Sequence, residues 1–182
     1  MKIATVGRGR IGGGLAALWT RAGHEVVSFG RDGGDGSDAD VVLVAVPGQA
    51  IAQALATVTG IRGKVTIDAT NAYGERQGGF ASLAHQVKSI VGGPTAKSFN
   101  TNWAVLYEQI GAQRVRPGNL FAADTEAREV TERLSADAGL DPVFLGDLEY
   151  ARMLEDHLRL VQAVGSAGLG PFFYRMARPG QL

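Results

Sequence analysis

Lys2-Ile-Ala-Thr-Val6 has the apolar, β-branched character of a buried strand and runs directly into Gly7-Arg8-Gly9-Arg10-Ile11-Gly12. A helical pattern follows, Leu15-Ala-Ala-Leu-Trp-Thr-Arg-Ala22, and then a second apolar run, Glu25-Val-Val-Ser-Phe29. Strand, glycine turn, helix and strand at this spacing form a βαβ unit, which commits the chain to a parallel sheet. Each glycine of the turn has its own task. Gly7 permits the sharp turn off the strand, Gly9 lets a pyrophosphate approach the backbone, and Gly12 lets the helix pack closely on the sheet. The free N–H groups where that helix starts face the anion. Arg8, Arg10 and Ile11 lie in the same turn and are counted with the glycines as dinucleotide-binding candidates.

The end of the second strand selects the dinucleotide. An acid about 20 residues beyond the glycines accepts hydrogen bonds from the ribose hydroxyls of NAD, whereas an Arg there accommodates the 2′-phosphate of NADP. This strand ends Ser28-Phe29-Gly30-Arg31. It carries no acid at its tip, and the planar fork of Arg31 suits a phosphate. The expectation is NADP(H), with Asp32 as the acid that an NAD-type site would use instead.

A chain of 182 residues suits one domain with a small appendage. Lys plus Arg and Asp plus Glu are balanced at 18 each, so no global basic field would recruit nucleic acid or an anionic membrane. Cysteine is absent, which excludes disulfides, thiolate metal sites and a Cys nucleophile. No apolar run reaches membrane-spanning length, and the expected localisation is cytoplasmic. His24, His85 and His157 are scattered and show neither metal-ligand spacing nor a nucleophile triad, so no metal site is expected.

Further along, strand-like and helical segments alternate: Val41 to Val46, a helix from Gln49, Val65 to Asp68, a helix around Ala81 to Val91, Ala96 to Phe99, a helical Trp103 to Gln113, Asn119 to Ala122, a helix Thr125 to Ala138, and Pro142 to Leu145. This predicts an α/β class, a Rossmann-like parallel sheet with helices on both faces. Residues 32–40 are too short and glycine-rich for another helix, which makes the second strand an edge strand and the connection a mobile one. A long helix from Leu148 to Val164, a glycine break and Phe172-Phe-Tyr174 close the chain. The expected division is a dinucleotide-binding domain at 1–145 and a short helical tail at 146–182. On that last helix Arg152 and Glu155 are spaced to pair.

Gly7-Arg-Gly-Arg-Ile-Gly12, Gly30-Arg31, Val44-Ala-Val-Pro47, Ile67-Asp-Ala-Thr-Asn71, Lys97-Ser-Phe-Asn-Thr101 and Arg152-x-Leu-Glu155 followed by Gly168-Leu-Gly170 together resemble the NADP-dependent coenzyme F420 reductases, over essentially the whole chain. The resemblance implies hydride transfer between NADP(H) and a deazaflavin, F420, or a flavin. Direct transfer between stacked rings asks the protein for position and dryness more than for proton transfer, so no catalytic side chain is expected. Val46 and Pro47 would pack against the adenosine-side ribose, Asn71 and Ala72 would line the nicotinamide end, and Asn100 and Thr101 would wall the second ring. Two alternatives stand beside this. A reductase of a small imine or carbonyl compound would need a proton donor, with Tyr73 or Lys97 the candidates, and a non-enzymatic NADP-sensing module would need none. The tail predicts a homodimer, because Leu158, Leu160, Val161, Phe172, Phe173 and Tyr174 supply more apolar surface than so short an appendage buries by itself.

Overall fold

The computed structural model describes residues 1–72 and 79–180; Tyr73 falls outside them. Its elements are β1 (Lys2–Val6), α1 (Arg10–Arg21), β2 (Glu25–Phe29), β3 (Gly34–Asp35), β4 (Val41–Val44), α2 (Ile51–Ala56), β5 (Val58–Thr59), β6 (Val65–Asp68), α3 (Leu83–Val91), β7 (Thr95–Lys97), β8 (Gly118–Ala123), α4 (Thr125–Asp137), β9 (Asp141–Phe144) and α5 (Ala151–Val164). Seven strands form one sheet in the order β2-β1-β4-β6-β7-β8-β9. The chain therefore has the Rossmann-like α/β fold, and β2 is its edge strand. A 3-10 run, Ala104–Ala112, stands where a helix is expected.

The sheet is buried on both faces because its strands are apolar on both. Along β1 and β4, Ile3 and Leu43 join Leu15 of α1, Ile67, Phe121 and Leu134 of α4 in one core. Their neighbours Ala4, Val42 and Val44 join Ile51 and Leu55 of α2 and Val87 of α3 in the other. This continuous apolar character is the mark of a parallel sheet covered by helices on both sides. Trp19 sits at the centre of the first core, its Nε1 donating to the Leu134 carbonyl at 2.8 Å and its ring set edge-on to Phe99 at 5.7 Å.

One pairing departs from the parallel plan: β8 runs antiparallel to β7, with Lys97 opposite Ala122. The connection from β7 to β8 carries the 3-10 run Ala104–Ala112, whose Tyr107 and Ile110 join the first core, and it returns to the end of β7 it left, where Asn102 Nδ2 donates to the Gly118 carbonyl at 3.0 Å. Such a return is antiparallel by geometry.

The glycine-rich connection after β2 is not bare coil. Its β3 pairs in parallel with β5, Gly34 opposite Val58, and Lys64 Nζ donates to the carbonyls of Ser37 at 2.8 Å and Ala39 at 2.6 Å. At the other end of the chain, Leu154 of α5 packs with Leu120 and Ala122 of β8. After a π turn at Gly165–Leu169 the chain returns as a strap: Gly118 N donates to the Tyr174 carbonyl at 2.7 Å, and Arg175 pairs with Asp141 at 3.4 Å. Phe172 meets the ring of Trp103 at 6.4 Å. No helix among the described residues is long and apolar enough to cross a membrane.

Candidate dinucleotide site

The C-terminal ends of β1, β2 and β4 open into a cavity of about 920 Å³. Gly7 has φ +108°, a conformation open to glycine, and its N–H donates to the Phe29 carbonyl at 2.9 Å, which locks the turn onto the tip of β2. A Cβ at Gly7 would collide with the Ala45 carbonyl, and one at Gly12 would collide with the carbonyl of Gly7. At Gly9, by contrast, a Cβ would meet nothing within 4 Å. Two glycines of the turn are therefore demanded by the fold, whereas the third leaves open space on the cavity wall.

The helix that begins there is bare at its N-terminus. Gly9 is the N-cap residue of α1, no side chain caps it, and the first turn holds no acid. Its partial positive charge is uncompensated, and Arg8, an exposed side chain on the cavity wall, adds to it. The Arg8 guanidinium occupies the space above Gly30, where a Cβ would stand 2.7 Å from Cζ and 2.8 Å from Nε. Arg31 and Asp32 line the same cavity. Arg8 and Arg31 thus both border the cavity at the tip of β2, and Gly30 makes room for the Arg8 guanidinium.

Of the residues singled out in the sequence, Gly7, Arg8, Gly9, Arg31, Val46 and Pro47 line this cavity. Arg10 faces a separate groove with Arg21 and Glu108, and Ile11 packs against the first core. Asn71, Ala72, Asn100 and Thr101 are not in the cavity lining. Asn71 Nδ2 donates to the Asn100 carbonyl at 2.8 Å, and Asn100 Nδ2 donates to Asn71 Oδ1 at 3.0 Å and to the Leu154 carbonyl at 3.0 Å. This buried pair ties the loops after β6 and β7 to α5. Thr101 is buried and shares a 2.5 Å hydrogen bond with the Tyr174 hydroxyl, while Ala72 packs beside the second core. The nearby Gly48, where a Cβ would stand 2.8 Å from the Asn71 carbonyl oxygen, brings the loop after β4 against the Asn pair.

Three features escaped the sequence reading. Ala50, Gln53, Ala54 and Thr57 line the cavity, spaced i, i+3, i+4 and i+7 on the face of α2 that turns away from the buried Ile51 and Leu55. That spacing was available as a signal. Phe99 carries φ +59° while fully buried, a costly conformation for an aromatic residue, at the bend that aims Asn100 toward Asn71. Lys97 is the third. Fully buried, it pairs with Asp68 at 2.8 Å and Glu155 at 3.2 Å, and Glu155 Oε1 also accepts from Leu83 N at 2.8 Å. Burial pushes the Asp68 carboxyl above its ordinary range, with the Lys97 ammonium offsetting part of that rise. Glu155 thus faces the core, and Arg152 pairs instead with Asp156 at 2.9 Å.

The sequence matches no protein-family model and no curated protein. The fold, however, is shared. The "putative F420 dependent NADP-reductase" of Arthrobacter sp. FB24 superposes with a TM-score of 0.79 at 23% identity, over 98% of this chain and 100% of that one. A hypothetical protein of Sinorhizobium meliloti follows with a TM-score of 0.64 at 25% identity, covering 81% of this chain and 86% of its own. A reductive aminase from Aspergillus terreus, in complex with NADPH and ethyl levulinate, gives 0.63 at 17% identity over 92% of this chain, which spans only 61% of the aminase. At these identities the likeness establishes the architecture.

Proposed function

We propose that this chain is an NADP-dependent oxidoreductase that passes hydride between NADP(H) and a deazaflavin or flavin, and that it works as a homodimer. The observation that carries the cofactor reading is that Arg8 and Arg31 line one cavity at the tip of β2, beside a glycine turn whose helix start is uncapped. The turn would take the pyrophosphate, and the two guanidiniums would take the 2′-phosphate. The stripe Ala50, Gln53, Ala54 and Thr57 would face the adenosine.

The acceptor reading draws support from the relative whose length this chain matches end to end, described as F420-dependent. The longer aminase carries a further part of its chain that has no counterpart here. Bound NADP(H) would supply the hydride chemistry. The protein's part is to hold that ring against a second one and exclude water. On this reading the domain at 1–145 binds the dinucleotide, and the tail at 146–182 braces the wall beyond it through Thr101 and Asn100.

A small-carbonyl or imine reductase would need a proton donor near the ring, and Lys97 is poorly suited. Its ammonium is fully buried and engaged by Asp68, Glu155 and the Thr70 carbonyl. Stopped-flow absorbance with NADPH and F420, FMN or FAD tests the reading. Rapid, stoichiometric oxidation of NADPH with one of these rings is expected. Oxidation only with a ketone or imine would replace the acceptor, and tight NADPH binding without turnover on any of them would leave a sensing module.

A further inference from the structure

Arg31 is exposed, so the backbone that carries it decides where its guanidinium stands. That backbone is fastened on both sides. Before Arg31, the Phe29 carbonyl accepts from Gly7 N at 2.9 Å; beyond it, Gly33 N donates to the Gly30 carbonyl at 3.2 Å, closing a turn around Arg31 and Asp32, and Gly34 N donates to the Thr57 carbonyl at 3.2 Å. Thr57 lines the same cavity as Arg31, so this last bond joins two of its walls, the loop that bears Arg31 and the end of α2. The approach is as close as a backbone allows: a Cβ at Gly33, where φ is +70°, would overlap the Thr57 carbonyl oxygen. The ladder then continues away from the cavity. Gly36 N donates to the Thr59 carbonyl at 2.9 Å, and Asp35 Oδ1 accepts from Ser37 N at 3.0 Å and from Thr59 Oγ1 at 3.3 Å. Lys64 completes it, with two of its three donors placed on the Ser37 and Ala39 carbonyls of one short segment. Lys64 is half-buried and is not part of the cavity lining.

We infer that the β3–β5 ladder is a clasp that presets Arg31 for the 2′-phosphate of NADP(H), and that Lys64 is its positioning residue, acting on the cofactor only through Arg31. The inference rests on the NADP reading given above. Residues 30–40 hold no helix, and a glycine-rich connection left to itself would sample many conformations. A ligand arriving at such a loop would have to order it, and the affinity would fall by that cost; a loop already held in its binding conformation avoids the loss. The ladder holds it here, and the lysine ammonium supplies the charge-assisted bonds of the set, which are the stronger kind. The preference for NADPH over NADH thus depends on a side chain that borders neither the phosphate site nor the rest of the cavity.

Calorimetric titration of the full chain with NADPH, NADH and 2′,5′-ADP, a probe of the adenosine end alone, tests this. Lys64→Met should weaken NADPH and 2′,5′-ADP about tenfold, the scale of one lost preorganisation, and leave NADH close to its wild-type affinity. Lys64→Arg, which keeps a cation able to reach both carbonyls, should retain most of the binding. The decisive readout is a double-mutant cycle: added to Arg31→Ala, Lys64→Met should cost nothing further. Gly33→Ala, which pushes the loop off Thr57 and leaves Lys64 in place, should show the same selective loss and serves where Lys64→Met does not fold. Losses equal for NADPH and NADH, or additive with Arg31→Ala, would make the ladder a general structural support and overturn the inference. Arg31→Ala weakening NADPH while Lys64→Met and Gly33→Ala do not would overturn it alone, whereas a wild-type chain that binds NADH as tightly as NADPH would overturn the NADP reading with it.

Discussion

At Gly9 an added methyl group meets open space, whereas at Gly12 it meets the carbonyl of Gly7 and stands 3.0 Å from the Thr5 methyl. The two glycines look equivalent in the sequence and should fail differently. Gly9→Ala is expected to melt within a degree or two of wild type yet lose NADPH binding, because the methyl occupies the pyrophosphate path. Gly12→Ala should lower the melting temperature itself, through overpacking worth about 1–3 kcal/mol. Calorimetric titration beside thermal scans separates the two, and a Gly9→Ala chain with unaltered NADPH affinity would show the phosphates to lie elsewhere. Arg31 was legible as a candidate for the phosphate from its place after a strand without an acid, and it lines the cavity. Arg8 lay inside the motif, but nothing in the order of residues says that its guanidinium folds back over Gly30. Arg8→Ala and Arg31→Ala should each weaken NADPH by roughly ten- to a hundredfold, the loss of charge-assisted hydrogen bonds, and leave NADH nearly unchanged. Equal losses for both cofactors would place these arginines on the shared pyrophosphate.

Among the elements, the strands of the main sheet and the α-helices were legible because each buried segment carries its own period, near-continuous apolar runs in β1 and β4 and amphipathic repeats in α1 and α3; the two-residue strands β3 and β5 and the 3-10 form of Ala104–Ala112 were not. The reversed direction of β8 was no more legible, since Gly118 to Ala123 is buried on both faces and, Asn119 apart, apolar, a pattern that reads alike in either sense. Nor was the partner of Glu155. Sequence spacing pairs it with Arg152, but the packing of α5 on the sheet turns its carboxylate inward to Lys97. That cluster joins β6, β7, α3 and α5, and removing its cation leaves two carboxylates buried without compensation. Lys97→Met is expected to cost about 3–5 kcal/mol in chemical denaturation. The fraction that remains folded should still oxidise NADPH with F420 or a flavin, as Lys97 lies among carboxylates and carbonyls and not on the cavity. A folded Lys97→Met chain that had lost turnover would return Lys97 to the role of proton donor.

For the molecule as a whole, the strap formed by residues 172–175 has a consequence for measurement. The chain holds two tryptophans, and they sit in different cooperative environments. Trp19 is sealed in the core between α1, α4 and Phe99, while Trp103 is half-buried and rests against Phe172 and the turn at Gly165. A chain ending at Gly165 should lose the contacts of Tyr174 with Leu120 and Thr101, melt earlier, and change the emission of Trp103 without shifting that of Trp19. In the full-length Trp19→Phe variant, Trp103 alone would report the strap. An emission change at denaturant concentrations below the global transition would show the C-terminal segment peeling away as a separate step; coincident transitions would show it to be part of one cooperative unit. The protein thus carries its own pair of optical probes, one for the melting of the sheet and one for the undocking of its last segment.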